Sequence, residues 1–298
     1  MFRHLEKNTS LATGLRLIVV VLLFTAISLV GYLVFSNSYH NKYTKLKSRE
    51  LSVVQTTKKV SAFEAWAPFS YSVSPTTTVP IWYYHHIRYY NNPADANGQA
   101  LSVSPETFRE QLHWMFENNY TTITPEQLLQ LFNGHLILPI GKKPAMITFD
   151  DGYDNMLTEA YPILKEFNFT GLFFVCPGLL NNPGYLTSEQ IKFLDKNGMS
   201  FGGHTMTHVD LKASDQATQF REMKESKDEL EILLGHSIIS MAYPYGMFDT
   251  KTKGITRKAG YTISMSTLPG FADSKEDWMQ LTRVRMYESK DFRRVLPQ

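Results

Sequence analysis

Two carboxylates stand side by side at the end of an apolar run: Asp150 and Asp151 in "ITFDDGYDN", residues 147–155. Adjacent side chains at a strand end point in different directions, so the pair can divide two tasks. One can bind a metal ion while the other takes a proton from a bound water. A lone Asp after a strand reads as readily as a helix cap; a doublet followed by Gly152 favours chemistry. Downstream, "GGHTMTH" sets His204 and His208 four residues apart, behind Gly202 and Gly203. On a helical turn that spacing puts both imidazoles on one side. Two histidines and one carboxylate make three protein ligands and leave positions open for water and substrate. A third segment, "AYPYG" at 242–246, reads as a tight turn fixed by Pro244 and Gly246. Such a turn can aim a backbone N–H into a site as half of an oxyanion hole.

These segments need elements to carry them. From Val79 onward, strand-like and helix-like stretches alternate. "VPIWYYHHI", "PAMITFDDG", "TGLFFVC", "MSFGGHT", "SIISMAYPYG" and "YTISMST" read as strands. The stretches between them read as helices. "SPETFREQLHWMFENN" opens with Ser104 as cap and Pro105 in the first turn, and sets Phe108, Leu112, Met115 and Phe116 on one face. Thr124 with Gln127, and Thr187 with Gln190, have the spacing of capping boxes. "NMLTEAYPILKEFN" reads as a single helix, and "SDQATQFREMKESKDELEILLG" as a long one ending at Gly235. A repeated β-then-α order implies a parallel α/β sheet or barrel. In such folds chemistry gathers at the C-terminal ends of strands, where these polar residues fall.

The chain has 298 residues, 43% of them hydrophobic, enough for one large domain or two small ones. A net charge of +2 marks no nucleic-acid surface. The single cysteine, Cys176, excludes an internal disulfide and a thiolate zinc cluster, and its apolar run reads it as a small buried hydrophobe. No glycine fingerprint for a nucleotide is present, so an organic cofactor is not expected. Leu17 to Phe35 carry no charge over 19 residues, about the length that crosses a bilayer core. That is longer than the apolar region of a cleaved signal, and no A-x-A follows it, so it reads as an uncleaved signal anchor. The expected order is therefore a short tail at 1–16, a transmembrane anchor at 17–35, a stalk at 36–78 and one catalytic domain at 79–298.

"TFDDG", "HTMTH" and "AYPYG", in this order and at this spacing, resemble the polysaccharide deacetylases of the NodB-homology type (carbohydrate esterase family 4) over roughly residues 80–298. "IWYYHHI", some 60 residues before the catalytic strand, resembles the branch acting on poly-β-1,6-N-acetylglucosamine of biofilms. The resemblance implies a distorted (β/α) barrel of about seven parallel strands and a divalent metal, zinc foremost. Asp151, His204 and His208 would be its ligands, Asp150 the general base, and the Tyr245 N–H an oxyanion donor. Trp278 would wall the acetyl pocket. The implied substrate is an acetylated polysaccharide, with peptidoglycan, chitin or acetylated xylan, or a weakly active glycan-binding role, as alternatives. The implied setting is the extracytoplasmic side of the cell membrane, beside exopolysaccharide synthesis or export machinery.

Two positions depart from the family pattern. Ala242 stands where many members carry an arginine that orients the base. "LTR", at 281–283, stands where many carry a Leu-x-His whose histidine protonates the leaving amine. Arginine stays protonated at any working pH and is no general acid. His85 and His86, at a strand end ahead of the aspartates, are therefore candidates to reach the substrate. Arg283 and Arg285 are candidates to steer a polymer or to orient Asp150. Trp82, Tyr83, Tyr84, Tyr89 and Tyr90 flank the histidines and offer flat faces to sugar rings.

Overall fold

The computed structural model describes residues 70–74 and 77–289. The expected anchor at 17–35 and nearly all of the stalk lie outside them. Among the described residues no helix is long and apolar enough to cross a membrane.

Seven strands make the framework: β1 (Ile81–Tyr84), β2 (Lys143–Phe149), β3 (Leu172–Val175), β4 (Ser200–Gly203), β5 (Ser240–Ala242), β6 (Ile263–Pro269) and β7 (Leu281–Arg285). Each pairs in parallel with the next, and β1 pairs with both β2 and β7, which closes the sheet into a barrel. The register runs Trp82 to Ile147 across β1–β2 and Trp82 to Val284 across β1–β7. Closure is uneven. β4 and β5 share the single partner pair Gly203–Met241, and the register of β6–β7 shifts between Met265 and Pro269. β7 is the strand the sequence reading did not anticipate. "LTRVR" alternates apolar and polar residues, but its two arginines read as site residues and not as a barrel stave.

Parallel strands are covered on both faces, which is why β2 is buried continuously from Pro144 to Phe149. Successive side chains still alternate between two apolar layers. Ile81, Met146, Phe174, Met265 and Leu281 fill the lumen. Trp82, Ile147, Phe149, Phe173 and Val175 pack outward under the helices. Each such side chain, fully buried, stabilises the fold by about 1.5–3 kcal/mol.

Helix α1 (Pro105–Glu117) is capped by Ser104 and buries Phe108, Leu112 and Met115, while Phe116 is half exposed. Helix α2 (Pro125–Phe132) carries the Thr124–Gln127 capping box and packs Leu128, Leu131 and Phe132 into the lumen cluster. Where one helix was expected at 155–168, a π-helical turn at Met156–Ala160 precedes a short α3 (Tyr161–Glu166). Pro162 has no N–H to donate back along the helix, so the regular ladder cannot run through it. Helix α4 (Ser188–Lys196) has the Thr187–Gln190 box. Helix α5 (Gln216–Leu234) starts at the Asp215 cap and stops at Gly235, whose φ of 76° suits glycine. Helix α6 (Thr250–Lys258) completes the ring described here.

Candidate active site

Strand parity decides which side chains reach the top of the lumen. On β2, Met146 and Thr148 face inward, and Asp150, two residues on, falls on the same side. On β7 the inward series is Leu281, Arg283 and Arg285. On β1 it is Ile81, Tyr83 and then His85. On β4, Gly202 faces the lumen and His204 follows. Both β4 glycines are fixed by close approach: a Cβ on Gly202 would sit 2.5 Å from the Phe174 ring, and one on Gly203 would sit 2.1 Å from the Tyr261 hydroxyl. The four inward series end in one cleft of about 460 Å³, which Tyr83, His85, Asp150, Asp151, His204 and His208 line together with Tyr245.

Asp150 is 3% exposed and held by a fork. The Arg283 Nη1 and Nη2 groups donate to its Oδ1 and Oδ2, each at 2.8 Å. Arg283 is itself fully buried. Its Nε donates to the Ser266 carbonyl at 2.7 Å, Nη1 donates also to Thr148 Oγ1, and the Tyr83 ring covers the guanidinium at 4.3 Å. Two parallel charge-assisted bonds fix the carboxylate plane, which a lysine cannot do. Burial pushes the Asp150 pKa up, but the Arg283 charge and hydrogen bonds outweigh it and hold the carboxyl below its ordinary range. The guanidinium missing at Ala242 is thus supplied from β7. Of the two roles expected for Arg283, the geometry matches orienting Asp150 and not touching substrate: at 0% exposure it lies beneath the base, because parity turns it into the lumen.

At Asp151 the chain leaves β geometry. Its φ is 75°, uncommon for a residue with a side chain and costing about 1–3 kcal/mol. That turn separates the two neighbouring carboxylates. Asp151 Oδ1 lies 3.2 Å from His204 Nε2 and 3.0 Å from His208 Nε2. The two histidines do not share a helical face. Residues 204–209 form no helix, and Thr205 and His208 both have positive φ, 61° and 63°. The loop converges its imidazoles because it is clamped throughout. The buried Glu222 on α5 accepts from the Thr207 N–H and Oγ1, each at 2.9 Å. The Gly178 N–H donates to the Met206 carbonyl, and the Cys176 thiol to the His204 carbonyl at 2.9 Å. Burial pushes that thiol well above its ordinary pKa, which suits a packing role.

His204 Nδ1 lies 2.8 Å from the Ala242 carbonyl. A carbonyl accepts only from an N–H, so the ring proton belongs on Nδ1 and the lone pair on Nε2. That lone pair faces a carboxylate oxygen that is buried and makes no regular hydrogen bond. Two acceptors aimed at each other, with a second imidazole beside them and all three donor atoms within 4.8 Å, fit a divalent cation. Burial works against charge on Asp151; imidazolium rings would hold its carboxyl below the ordinary range, and with the imidazoles neutral a divalent cation among the three donors does the same.

The Tyr245 ring sits edge-on to His208 at 4.6 Å, and its backbone has φ 58° in the Pro244–Gly246 turn. The hydrogen bonds of that turn run from Gly246 and Met247 to the carbonyls of Tyr243 and Pro244, and neither uses the Tyr245 N–H. The two histidines of "HH" part company. His85 lines the cleft. His86 faces away, stacked on Tyr153 at 3.7 Å and bonded through Nδ1 to Asn155 Nδ2. Burial, and then the nearby Arg88 charge, lower its pKa to about 3, so it is neutral and structural. Trp278 is not at the cleft either. It packs on Phe132 at 5.5 Å against the lumen cluster, since the segment before β7 folds toward the floor of the barrel. Sequence reasoning overlooked Tyr153, which lines the cleft. It stands within "DDGYDN" itself. It also overlooked Glu222, which a lone acid in a charged helix does not announce.

A family model described as polysaccharide deacetylase matches residues 139–264. The Bacillus subtilis (strain 168) protein YxkH, a polysaccharide deacetylase by its name, is 30% identical over 244 residues, covering 80% of this chain and 81% of that one. The chain belongs to the polysaccharide deacetylase family. Its members are hydrolases acting on N-acetyl groups. The solved structure of a Streptococcus pyogenes deacetylase, PplD, in complex with acetate is 31% identical, with a TM-score of 0.67 over 72% of this chain and 94% of that one. The poly-beta-1,6-N-acetyl-D-glucosamine N-deacetylase of Staphylococcus aureus (strain MRSA252) is 26% identical over 180 residues, 55% of this chain and 61% of that protein.

Proposed function

We propose that this chain hydrolyses N-acetyl groups on an N-acetylhexosamine polysaccharide, poly-β-1,6-N-acetylglucosamine first among them. Asp151, His204 and His208 would hold a divalent metal, zinc foremost. The observation that carries the reading is the meeting of an arginine-held carboxylate with an Asp-His-His donor set in one cleft. The substrate class draws support from the activity for which the Staphylococcus aureus relative is named.

The chemistry such a metal would supply is polarisation of the acetamide carbonyl and acidification of the attacking water. Asp150, kept ionised by Arg283, takes the proton from the attacking water. The Tyr245 N–H stabilises the oxyanion. His85 delivers a proton to the leaving nitrogen, in place of the histidine absent after Leu281. Burial lowers the His85 pKa and the charges of Asp150 and Asp151 oppose this only in part, so the proton it delivers is the one Asp150 takes from the water. Acetate and a free amine are the products. We place the domain outside the cytoplasm, tethered through residues 17–35 and working beside polysaccharide synthesis or export machinery.

The test is acetate release by the full-length chain from β-1,6- and β-1,4-linked N-acetylglucosamine oligomers and acetylated xylan, with zinc and with chelator. Zinc-dependent release from the β-1,6 series is expected. Release from the β-1,4 series alone would move the substrate to chitin or peptidoglycan. Release from xylan alone would make the chain an esterase, and release from none would refute deacetylation.

A further inference from the structure

A second cavity, of about 640 Å³, opens beside the cleft and is not used by the chemistry above. Its walls come from two segments that also border the cleft. One is the connection from β1 to α1. Leu101 lines the cleft, while Ala100 and Ser102 line the second cavity. The other is the end of β7, where Arg285 lines the cleft and Tyr287 lines the cavity. Arg285 joins the two spaces: Nη2 donates to the Ala100 carbonyl at 3.2 Å, and its guanidinium lies over the Tyr287 ring at 5.2 Å.

The cavity has the character of a sugar site. Tyr89 and Tyr287 line it at 70% and 45% exposure, far more than an aromatic ring needs for packing. Polar side chains stand around them: Arg88, Asn91 and Gln99. The wall is built rather than loose. The Tyr90 hydroxyl donates to Asp95 Oδ2 at 2.6 Å, Arg88 Nε donates to Ser102 Oγ, and Arg88 lies over the Tyr90 ring at 4.4 Å. Behind Tyr287, its carbonyl accepts from Gln111 Nε2, and Glu288 binds the N-terminal turn of α1 through Ser104 and Thr107. Exposed aromatic faces held by a rigid frame, with polar groups at the rim, suit a ring that has both hydroxyls and a C–H face.

We infer that this cavity is a distal subsite for the polysaccharide, holding a neighbouring sugar of the chain whose acetamide lies at Asp150, with Tyr89 and Tyr287 as its stacking platforms and Arg285 as the donor at the junction. The inference rests on the glycan reading above and adds to it where the polymer runs. The enzyme then discriminates by chain length, because only an oligomer can fill both spaces.

The test is calorimetric binding of β-1,6- and β-1,4-linked N-acetylglucosamine dimers and pentamers to the full-length zinc-loaded chain, with acetate release measured on the same samples. Wild type is expected to bind the pentamer more tightly than the dimer. Tyr89→Ala with Tyr287→Ala should weaken the pentamer about tenfold, ~1.4 kcal/mol, and erase its advantage over the dimer. Tyr287→Phe should keep it, since the ring does the stacking. Both tyrosines are exposed, and an unchanged Tm would show the variants fold. Equal affinity for dimer and pentamer in wild type, a pentamer affinity unmoved by the double variant, or no oligomer binding at all would overturn the subsite. Length-dependent binding lost in the variant, with no acetate released, would sink the deacetylase reading and leave the subsite standing.

Discussion

Arg283→Met removes the guanidinium and little volume, and leaves Asp150 buried at 3% exposure with no cation against it. In the native chain Asp150 draws two charge-assisted bonds from Arg283. Breaking a buried pair by deleting one partner costs about 3–5 kcal/mol, most of it the penalty of the stranded charge. For a domain of this size each kcal/mol lowers Tm by about 2–4 °C, so a fall of roughly 6–20 °C is expected. The sign with pH follows from Asp150. Its native pKa is depressed, so its contribution to stability is full above the unfolded carboxylate range and is lost as pH falls through the folded value. In the variant burial is opposed only by the lesser effects of His204 and His85 and the pKa rises, so the group destabilises at neutral pH and ceases to do so once protonated. The gap between wild type and variant should therefore be widest near pH 7 and close on acidification toward pH 4. Denaturant unfolding across that range measures it. Adding Asp150→Asn to Arg283→Met should recover part of the loss. Turnover should fall at least about 100-fold as the base loses its orientation. A cost below about 1 kcal/mol, independent of pH and additive with Asp150→Asn, would refute the reasoning.

Asp150→Asn should abolish turnover with metal still bound, while His204→Ala should lose both; metal content after gel filtration, read beside acetate release, separates them. Glu222→Ala removes the two bonds to Thr207, so zinc affinity should fall about 10–100-fold by competition titration, whereas Glu222→Gln should recover part of it. His85→Ala should lower kcat about 10²–10⁴-fold, and His86→Ala should lower Tm with kcat little changed, because only His85 lines the cleft.

How much of the fold and site is legible in the sequence follows from physical range. Capping at Ser104, Thr124 and Thr187 depends on residues three apart, and the helices start at those caps. The buried run of β2 and the placement of the aspartates after it are equally local. The Arg283–Asp150 fork joins residues 133 apart, and only barrel closure brings them together. The same holds for Glu222 and Thr207, and for Trp278, whose spacing resembles a pocket aromatic while the chain carries it to Phe132. The four-residue spacing of His204 and His208 suggested a helix, but two left-handed residues build the convergence instead. His85 and His86 are indistinguishable by type; the alternation continuing from β1 separates them, and it becomes visible once the lumen side of Ile81 is known.

The proposed hydrolysis requires one metal, held by Asp151, His204 and His208. The most direct measurement is acetate release by the chelator-stripped full-length chain as zinc is added back, beside His208→Ala. Recovery that saturates at one equivalent in wild type and is absent in the variant is predicted. Full activity without metal, or equal recovery in His208→Ala, would contradict it.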